Sequence, residues 1–205
     1  ATFDLPRLVD IAATDLHVYD GARLTLPSIG RLIRTNASYL RLRASGADSV
    51  LEVTNVADGA THASYSLDIQ VYDGGQILLP KLASWTGSID ALAQDEGSGV
   101  DFSGWTGTFR GGTHNSSLEA RDGAAVLIPN VTSLEGVDVT VRGNGQIPLA
   151  QVRSLRNGSL YFDQTPDWSL PGLTDATGSD LRVEDGARLT LAGLTRLDNP
   201  SASYL

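Results

Sequence analysis

The sequence predicts an all-β protein, a single right-handed parallel β-helix (β-solenoid) of about nine coils of 21–27 residues. Three observations predict this fold: a short apolar motif that returns nine times, alternating apolar residues upstream of it, and Asp-Gly pairs between the two. The pattern continues through residues 1–205, so we expect one continuous domain. The right-handed winding follows from the general rule for parallel crossovers and not from these residues.

The recurring motif consists of apolar, any, apolar, Pro or small, any and apolar residues. Its first two copies are residues 3–8 around Pro6 and residues 24–29 around Pro27. The central positions are 6, 27, 54, 80, 103, 129, 150, 171 and 192, separated by steps of 21, 27, 26, 23, 26, 21, 21 and 21 residues. We interpret the longer steps as loop insertions of two to six residues in a 21-residue coil.

Two further features precede the central positions. Apolar residues alternate eleven and nine residues upstream, as in Leu16 and Val18, which is typical of a half-buried strand. Asp-Gly pairs such as Asp20-Gly21 follow and favour tight turns, because glycine adopts positive φ without steric cost and aspartate can hydrogen-bond its own backbone. A third apolar residue recurs after the motif, so each coil is expected to contain two or three strands.

The stacking of coils follows from their size. A unit of this length cannot bury its own apolar face, whereas stacked coils share one core and pair their strands in parallel. The sequence opens inside one copy of the motif, at Phe3, and closes at residues 203–205, which match residues 38–40 at the start of a strand. We therefore expect a chain truncated mid-coil at both ends. Its end coils should contact neighbouring repeats of the same polypeptide or associate end to end with a second copy.

Composition and charge narrow the function classes. The net charge of −9 repels phosphate backbones, so we expect no nucleic-acid partner. No apolar run approaches the roughly 18 residues needed to span a bilayer. The lack of cysteine excludes disulfides, thiolate metal sites and cysteine nucleophiles. The three histidines have no nucleophile motif near them, so we predict no catalytic residues and a protein that is not an enzyme.

The Leu-x-Leu-Pro-x-Leu-x-x-Leu motif resembles repeats in very large secreted surface proteins of bacteria, as does the stretch 145–152 followed by 157–160. This resemblance covers essentially the whole chain and implies a parallel β-helix at an extracellular or cell-surface location, without site residues. The strand motif is also similar to the receptor L domain. We therefore expect a non-catalytic structural or adhesive segment, such as the stalk or spacer of a larger protein.

One polar column suggests a metal site. Asp73, Glu96 and Asp122 lie seven residues before three successive central positions, which would stack their carboxylates about 5 Å apart. Like charges this close are unfavourable unless a cation lies between them, and Ca²⁺ accepts such oxygen ligands. The three residues are therefore a candidate Ca²⁺ site, and no other cofactor is expected. The alternative is three turns whose side chains are solvated.

Two further functions stay open. Tyr19 and Tyr72 lie eight residues before their central positions and should point outward, where they are candidates for contact with a glycan in a carbohydrate-binding β-helix. A polysaccharide lyase or hydrolase would need paired carboxylates, for which we consider Asp95 and Glu96. The tryptophans occupy apolar columns and are predicted to pack in the core: Trp85, Trp105 and Trp168.

Overall fold

The computed structural model describes residues 1–11, 14–164 and 167–198, and the regular elements in these ranges are all β-strands. No helix among these residues is long and apolar enough to cross a membrane. The strands, in chain order, are β1 (Thr2–Asp4), β2 (Leu16–Tyr19), β3 (Arg23–Thr25), β4 (Arg31–Arg34), β5 (Leu40–Ser45), β6 (Val50–Glu52), β7 (Asp58–Thr61), β8 (Ser66–Tyr72), β9 (Gln76–Leu78), β10 (Ser84–Thr86), β11 (Ser88–Gln94), β12 (Gly99–Asp101), β13 (Gly107–Arg110), β14 (Ser116–Arg121), β15 (Ala125–Leu127), β16 (Val131–Glu135), β17 (Val137–Arg142), β18 (Ser154–Arg156), β19 (Ser159–Asp163), β20 (Trp168–Ser169), β21 (Asp180–Glu184) and β22 (Leu189–Thr190).

Successive coils stack these strands on three faces. The first face is one eight-stranded sheet, in the order β2-β5-β8-β11-β14-β17-β19-β21. The second face carries the sheet β1-β3-β6-β9-β12-β15 and the pair β20-β22, and the third face carries β4-β7-β10 and β13-β16-β18. The described strand pairs are parallel and join neighbouring coils, so the predicted β-solenoid is confirmed.

The described chain makes about eight turns, close to the predicted nine. We number the coils 1 to 8 by their strands in the first sheet, from β2 to β21. The first copy of the motif contributes only β1, which stacks on the second face of coil 1. The right-handed winding stays a prediction, and residues 203–205, used to predict the truncated end, lie outside the described residues.

The first corner of coils 1, 3, 5 and 8 is the predicted Asp-Gly turn. In coil 1, Asp20 and Gly21 have φ angles of 54° and 69°, and the Ala22 N–H donates to the Tyr19 carbonyl at 3.0 Å. Positive φ at both central residues is the conformation for which Asp-Gly is favoured. The prediction of a tight turn at this position is therefore confirmed.

Coils 2 and 4 contain one more residue at this corner. The hydrogen bond that closes the turn lies one position later along the chain than in coil 1. The Ser49 N–H donates to the Gly46 carbonyl, and the Ser98 N–H donates to the Asp95 carbonyl. The additional serine is buried in both coils, and its Oγ accepts the turn N–H of the preceding coil, at 2.9 Å for Ser49 and 3.0 Å for Ser98. The insertion is thus tolerated because a serine hydroxyl satisfies a backbone donor that would otherwise be buried.

The second corner is a β-turn with proline or a small residue at its second position. The Leu82 N–H donates to the Leu79 carbonyl at 3.0 Å across Pro80, whose fixed φ suits that position. The residue after this second turn position contacts the preceding coil, as where Asn55 Nδ2, next to Thr54, donates to the Pro27 carbonyl at 2.6 Å. The turn carbonyl, which no ladder satisfies, thereby gains a donor from the coil above it.

The inward side chains of all three faces form one hydrophobic cluster. Leu26 and Ile128, taken from distant coils, are fully buried, and Leu191 packs partly buried against the same cluster. Parallel register produces this continuity, because residues one coil apart lie directly on one another, as Leu118 does on Val139. The predicted common interior is therefore confirmed.

Coil 4 combines small and large side chains in its interior. Coil 4 places Ala91 and Ala93 on the first sheet and fills the space opposite with Phe102, Trp105 and Phe109. The Trp105 and Phe109 rings stack with centroids 4.2 Å apart. Close packing inside a column of fixed cross-section requires this compensation.

The other two tryptophans also pack against the core, as predicted. Trp85 lies over Gly59 of the preceding coil, where a Cβ atom would overlap the indole ring. Trp168 stacks on Phe162 with ring centroids 4.8 Å apart. Both are partly buried, whereas Trp105 is buried.

Leu118→Ala tests the shared core. Its side chain is fully buried between neighbouring coils, so we expect a loss of about 2–5 kcal/mol in the free energy of unfolding. The adjacent Ser117 faces outward on the same strand, and Ser117→Ala should change stability by less than about 0.5 kcal/mol. Equal effects in urea unfolding would contradict the assigned interior.

Candidate functional site

The outward residues of the first sheet form stacked columns, and the column beside the first corner contains both predicted tyrosines. Tyr19 is 46% exposed and Tyr72 is half-buried. Ser45 lies between them, so their backbones are two coils, or about 10 Å, apart. Both point outward as expected, but each leans along its own strand, with the Tyr19 hydroxyl 2.9 Å from His17 Nδ1.

The predicted acidic column is shifted by one residue in coil 4. The register of the first sheet places Asp95, not Glu96, in line with Asp73 and Asp122. Asp95 has a φ of 73°, in the same left-handed region as its two neighbours in the column, and Glu96 is exposed at the tip of the turn. The cause is the additional residue at this corner, which a fixed offset from the motif does not detect.

The carboxylates of this column accept hydrogen bonds from the protein itself. Asp73 accepts from Ser45 Oγ at 3.0 Å, and Asp95 accepts from the Asp73 N–H at 3.3 Å. Within residues 1–11, 14–164 and 167–198, no three His, Asp or Glu side chains are grouped closely enough to hold a metal ion. The Ca²⁺ hypothesis therefore gains no supporting contact from this geometry.

Arginine–carboxylate pairs connect neighbouring coils on the sheet faces. Arg41 Nε lies 3.3 Å from Asp68, directly across the ladder in the first sheet. Arg110 and Glu135 pair in the same way on the third face, at 2.5 Å. Exposed pairs contribute little individually, roughly 0–1 kcal/mol. Their placement on directly stacked residues nevertheless favours the correct register, because a slip would juxtapose the wrong charges.

One such pair is more strongly coupled than the rest. The Asp175 carboxylate accepts from Thr177 Oγ1 at 2.6 Å and from Arg156 Nη2 at 2.6 Å. The Thr177 hydroxyl and the Arg156 guanidinium lower the pKa of Asp175 to about 2, from an ordinary value of 3.8. This corner is therefore stabilised by a carboxylate that stays ionised in moderate acid.

A notch opens at the third corner, where the loop length changes abruptly. Residues 62–65 connect β7 to β8 and residues 111–115 connect β13 to β14, but a single residue, Gly87, connects β10 to β11. Gly87 itself lies on Thr61 of the preceding coil and against Gly112 of the following coil, so residues 62–65 and 113–115 project beyond it. Gly87 has a φ of 110°, and a Cβ there would collide with Thr61 Oγ1, so only glycine fits. Two projecting loops thus flank a gap of one coil.

The notch encloses about 220 Å³ and is lined mainly by polar and aromatic side chains. Tyr65 forms one wall and is supported by Tyr39, whose ring meets it edge-on with centroids 5.1 Å apart. His114 forms the other wall, and its carbonyl accepts from Ser88 Oγ at 2.7 Å. The full lining is Tyr39, Ser64, Tyr65, Ser66, Ser88, Asp90, His114 and Asn115.

The floor of the notch contains groups with unused hydrogen-bonding capacity. Ser66 is only 4% exposed, and its Oγ forms no hydrogen bond of good geometry. It lies near enough to Asp90 to lower the pKa of that carboxyl, but burial raises this pKa by more, so the net shift is upward. A carboxyl and a buried hydroxyl therefore face the same small space.

The notch was not predicted from the sequence, although a signal for it exists. The step between central positions 80 and 103 is 23 residues and is flanked by steps of 26 residues on both sides. A short coil between two longer ones, at the corner that carries insertions, leaves a gap between two loops. The identity of the floor residues depends on register and could not be inferred from step lengths.

An apolar groove of about 350 Å³ lies on the second face. It forms beside Pro148, which occupies the ladder position next to Leu127 and has no N–H to donate, so the six-stranded sheet ends at β15. Leu127 is 43% exposed at its edge, and Trp168 lines the opposite side. The groove offers apolar contact without a convergent set of polar groups.

Comparison with known proteins found no matching family model, no matching curated protein and no matching solved structure. The repeat architecture and the surfaces above are therefore the observations from which function is inferred.

Asp175→Asn tests the pKa of this carboxyl. Because the folded-state pKa lies below the ordinary value, ionised Asp175 stabilises the fold above about pH 4, and this contribution disappears as the pH falls towards 2. The variant should therefore have a lower Tm at pH 7, and the two melting curves should converge by pH 2. Thr177→Val, which removes the hydroxyl that donates to Asp175, should lose part of the same dependence of Tm on pH. A constant Tm difference from pH 7 to pH 2 would contradict the assignment.

Proposed function

We propose that this chain is a non-catalytic structural segment, a stiff stalk or spacer within a larger secreted or surface protein. The observation that carries the proposal is the uninterrupted hydrophobic cluster through all the stacked coils. Each coil is tied to the next by parallel backbone ladders on its faces, so bending requires breaking several hydrogen bonds together. Eight strands at a spacing of about 4.8 Å give a rod roughly 35 Å long.

An extracellular or cell-surface location belongs to the same proposal. It rests on the resemblance of the repeats to those of very large bacterial surface proteins, and on a chain without cysteine that tolerates an oxidising environment. An adhesive role is compatible with this location. Immunolabelling of intact cells that produce the parent protein, before and after external protease treatment, tests it: loss of label after protease is the expected result.

The partners we propose are further coils, either neighbouring repeats of the same polypeptide or a second copy. At the β1 end of the described chain, β1, β2 and β4 each pair on one edge only. Apolar side chains are exposed at the same end, including Phe3 at 57% and Val9 at 69%. An unpaired strand edge beside exposed apolar residues is a template for pairing with another chain.

A whole-coil deletion tests the structural role. Removing residues 138–158 joins Val137 to Ser159, which then occupies the register position of Asp138. Because one complete repeat is lost, we expect a folded, cooperative protein with a lower Tm and a rod about 5 Å shorter by small-angle X-ray scattering.

The matched control removes residues 138–148, about half a coil. This deletion puts the following strands out of register with the coils on both sides, so the variant should not fold cooperatively. Equal tolerance of the two deletions would contradict a stacked spacer. Release of sugar fragments from a panel of polysaccharides by the intact chain would contradict the non-catalytic assignment.

A further inference from the structure

We propose that the notch over Gly87 binds one residue of a neutral saccharide. This inference goes beyond the structural role and does not depend on it, because a spacer needs no binding site. The notch is the one described concavity in which two projecting loops, an aromatic wall and a buried polar floor coincide.

The dimensions of the notch suit a single small ring. Its walls, Tyr65 and His114, lie on the loops before and after the short connection at Gly87, and these two loops are separated by two coil spacings, or about 10 Å, along the stack. The enclosed volume of about 220 Å³ falls below the range of about 300–1,000 Å³ typical of pockets for drug-sized ligands. One sugar ring matches this space, while a larger ligand would have to extend outside it.

The chemistry of the lining matches the two-sided character of a sugar. A pyranose presents C–H groups on its faces and hydroxyls around its edge. The Tyr65 and His114 side chains offer aromatic surface to a ring face, and Tyr39 holds Tyr65 in place by edge-to-face contact. The edge hydroxyls would meet Asp90 and Asn115, which supply carboxylate and amide acceptors and an amide donor.

The floor carries the independent observation that points to a ligand. Ser66 is more than nine-tenths buried, lines the notch and has an Oγ without a well-formed hydrogen bond. A buried hydroxyl left in this state costs free energy that an incoming hydroxyl group would recover. Ser49 and Ser98, which are also buried, form hydrogen bonds of good geometry with neighbouring coils, whereas Ser66 Oγ only approaches the Asp90 carboxyl.

Charge selects a neutral sugar over an acidic one. Asp90 lies in the notch, and the nearby Asp68 carboxylate acts on it as a like charge. The arginine closest to this pair in the ladder, Arg41, already binds Asp68. His114 in the lining acts on Asp90 as an opposite charge, but two carboxylates face this one side chain, so a uronic acid would bring a further negative charge to an acidic site.

The test is an NMR titration of ¹⁵N-labelled protein with the methyl glycosides of glucose, galactose, mannose and N-acetylglucosamine, and with galacturonic acid. We expect at least one neutral glycoside to shift the amide resonances of Gly87, Ser88 and His114, with a Kd on the order of 1 mM for so shallow a site. Galacturonic acid should shift them at least about fivefold more weakly.

Three substitutions assign the binding to the notch. Tyr65→Ala, His114→Ala and Asp90→Asn should each weaken binding about tenfold or more, because each removes a wall or a hydrogen-bonding group. His114 is exposed, so its replacement is the variant least able to disturb folding, and circular dichroism verifies the fold of all three.

Tyr19→Ala and Tyr72→Ala are the matched controls, since they remove exposed or half-buried tyrosines from the flat sheet face outside the notch. Both should bind the glycoside as the unmodified chain does. The proposal is overturned if no neutral glycoside shifts the notch resonances, if binding survives all three notch substitutions, or if the control substitutions abolish it. Binding of galacturonic acid as tightly as of the neutral sugars would also overturn it.

Discussion

The structure depends on one constraint, the parallel register between neighbouring coils. Each strand residue must lie on its equivalent one coil away, so that backbone donors meet acceptors and apolar side chains meet one another. A slip of one residue would turn every inward side chain outward. Differences in coil length therefore lie mainly at the corners, where a longer turn does not alter the strands on either side, and a bulge at Thr132 in β16 is an exception.

The constraint also governs the interior. A column of fixed cross-section cannot widen to hold a large side chain, so an aromatic residue in one strand requires a small residue opposite it or in the next coil. Ala91 and Phe109 are both buried in coil 4, and Gly59 lies beneath Trp85. Substitutions in the core are consequently coupled across faces, and compensation between positions is as important here as the size of any one residue.

The sequence was informative to the extent that register could be inferred from it. The apolar motif, the Asp-Gly turns and the four steps of 21 residues were sufficient to predict the fold and the interior positions. The prediction of the acidic column was wrong at Glu96, because one additional residue at the corner places Asp95 in line with Asp73 and Asp122. The motif that follows is unaffected by this residue. The capping of corner carbonyls by residues such as Asn55 was also missed, since polar residues in turns have many other uses.

The same reasoning explains where a solenoid of this kind gains a site. Its sheet faces are flat, and their charged residues, such as Arg41 with Asp68, are largely engaged with the next coil. At the corners, concavity arises where the length changes from one coil to the next, as it does when Gly87 lies between two longer loops, whereas the apolar groove beside Pro148 forms where a sheet ends. Because the corners lie outside the ladders, such a change leaves the register intact. The corner loops can therefore vary without loss of the fold, and they are the part of this architecture in which recognition and stability are separable.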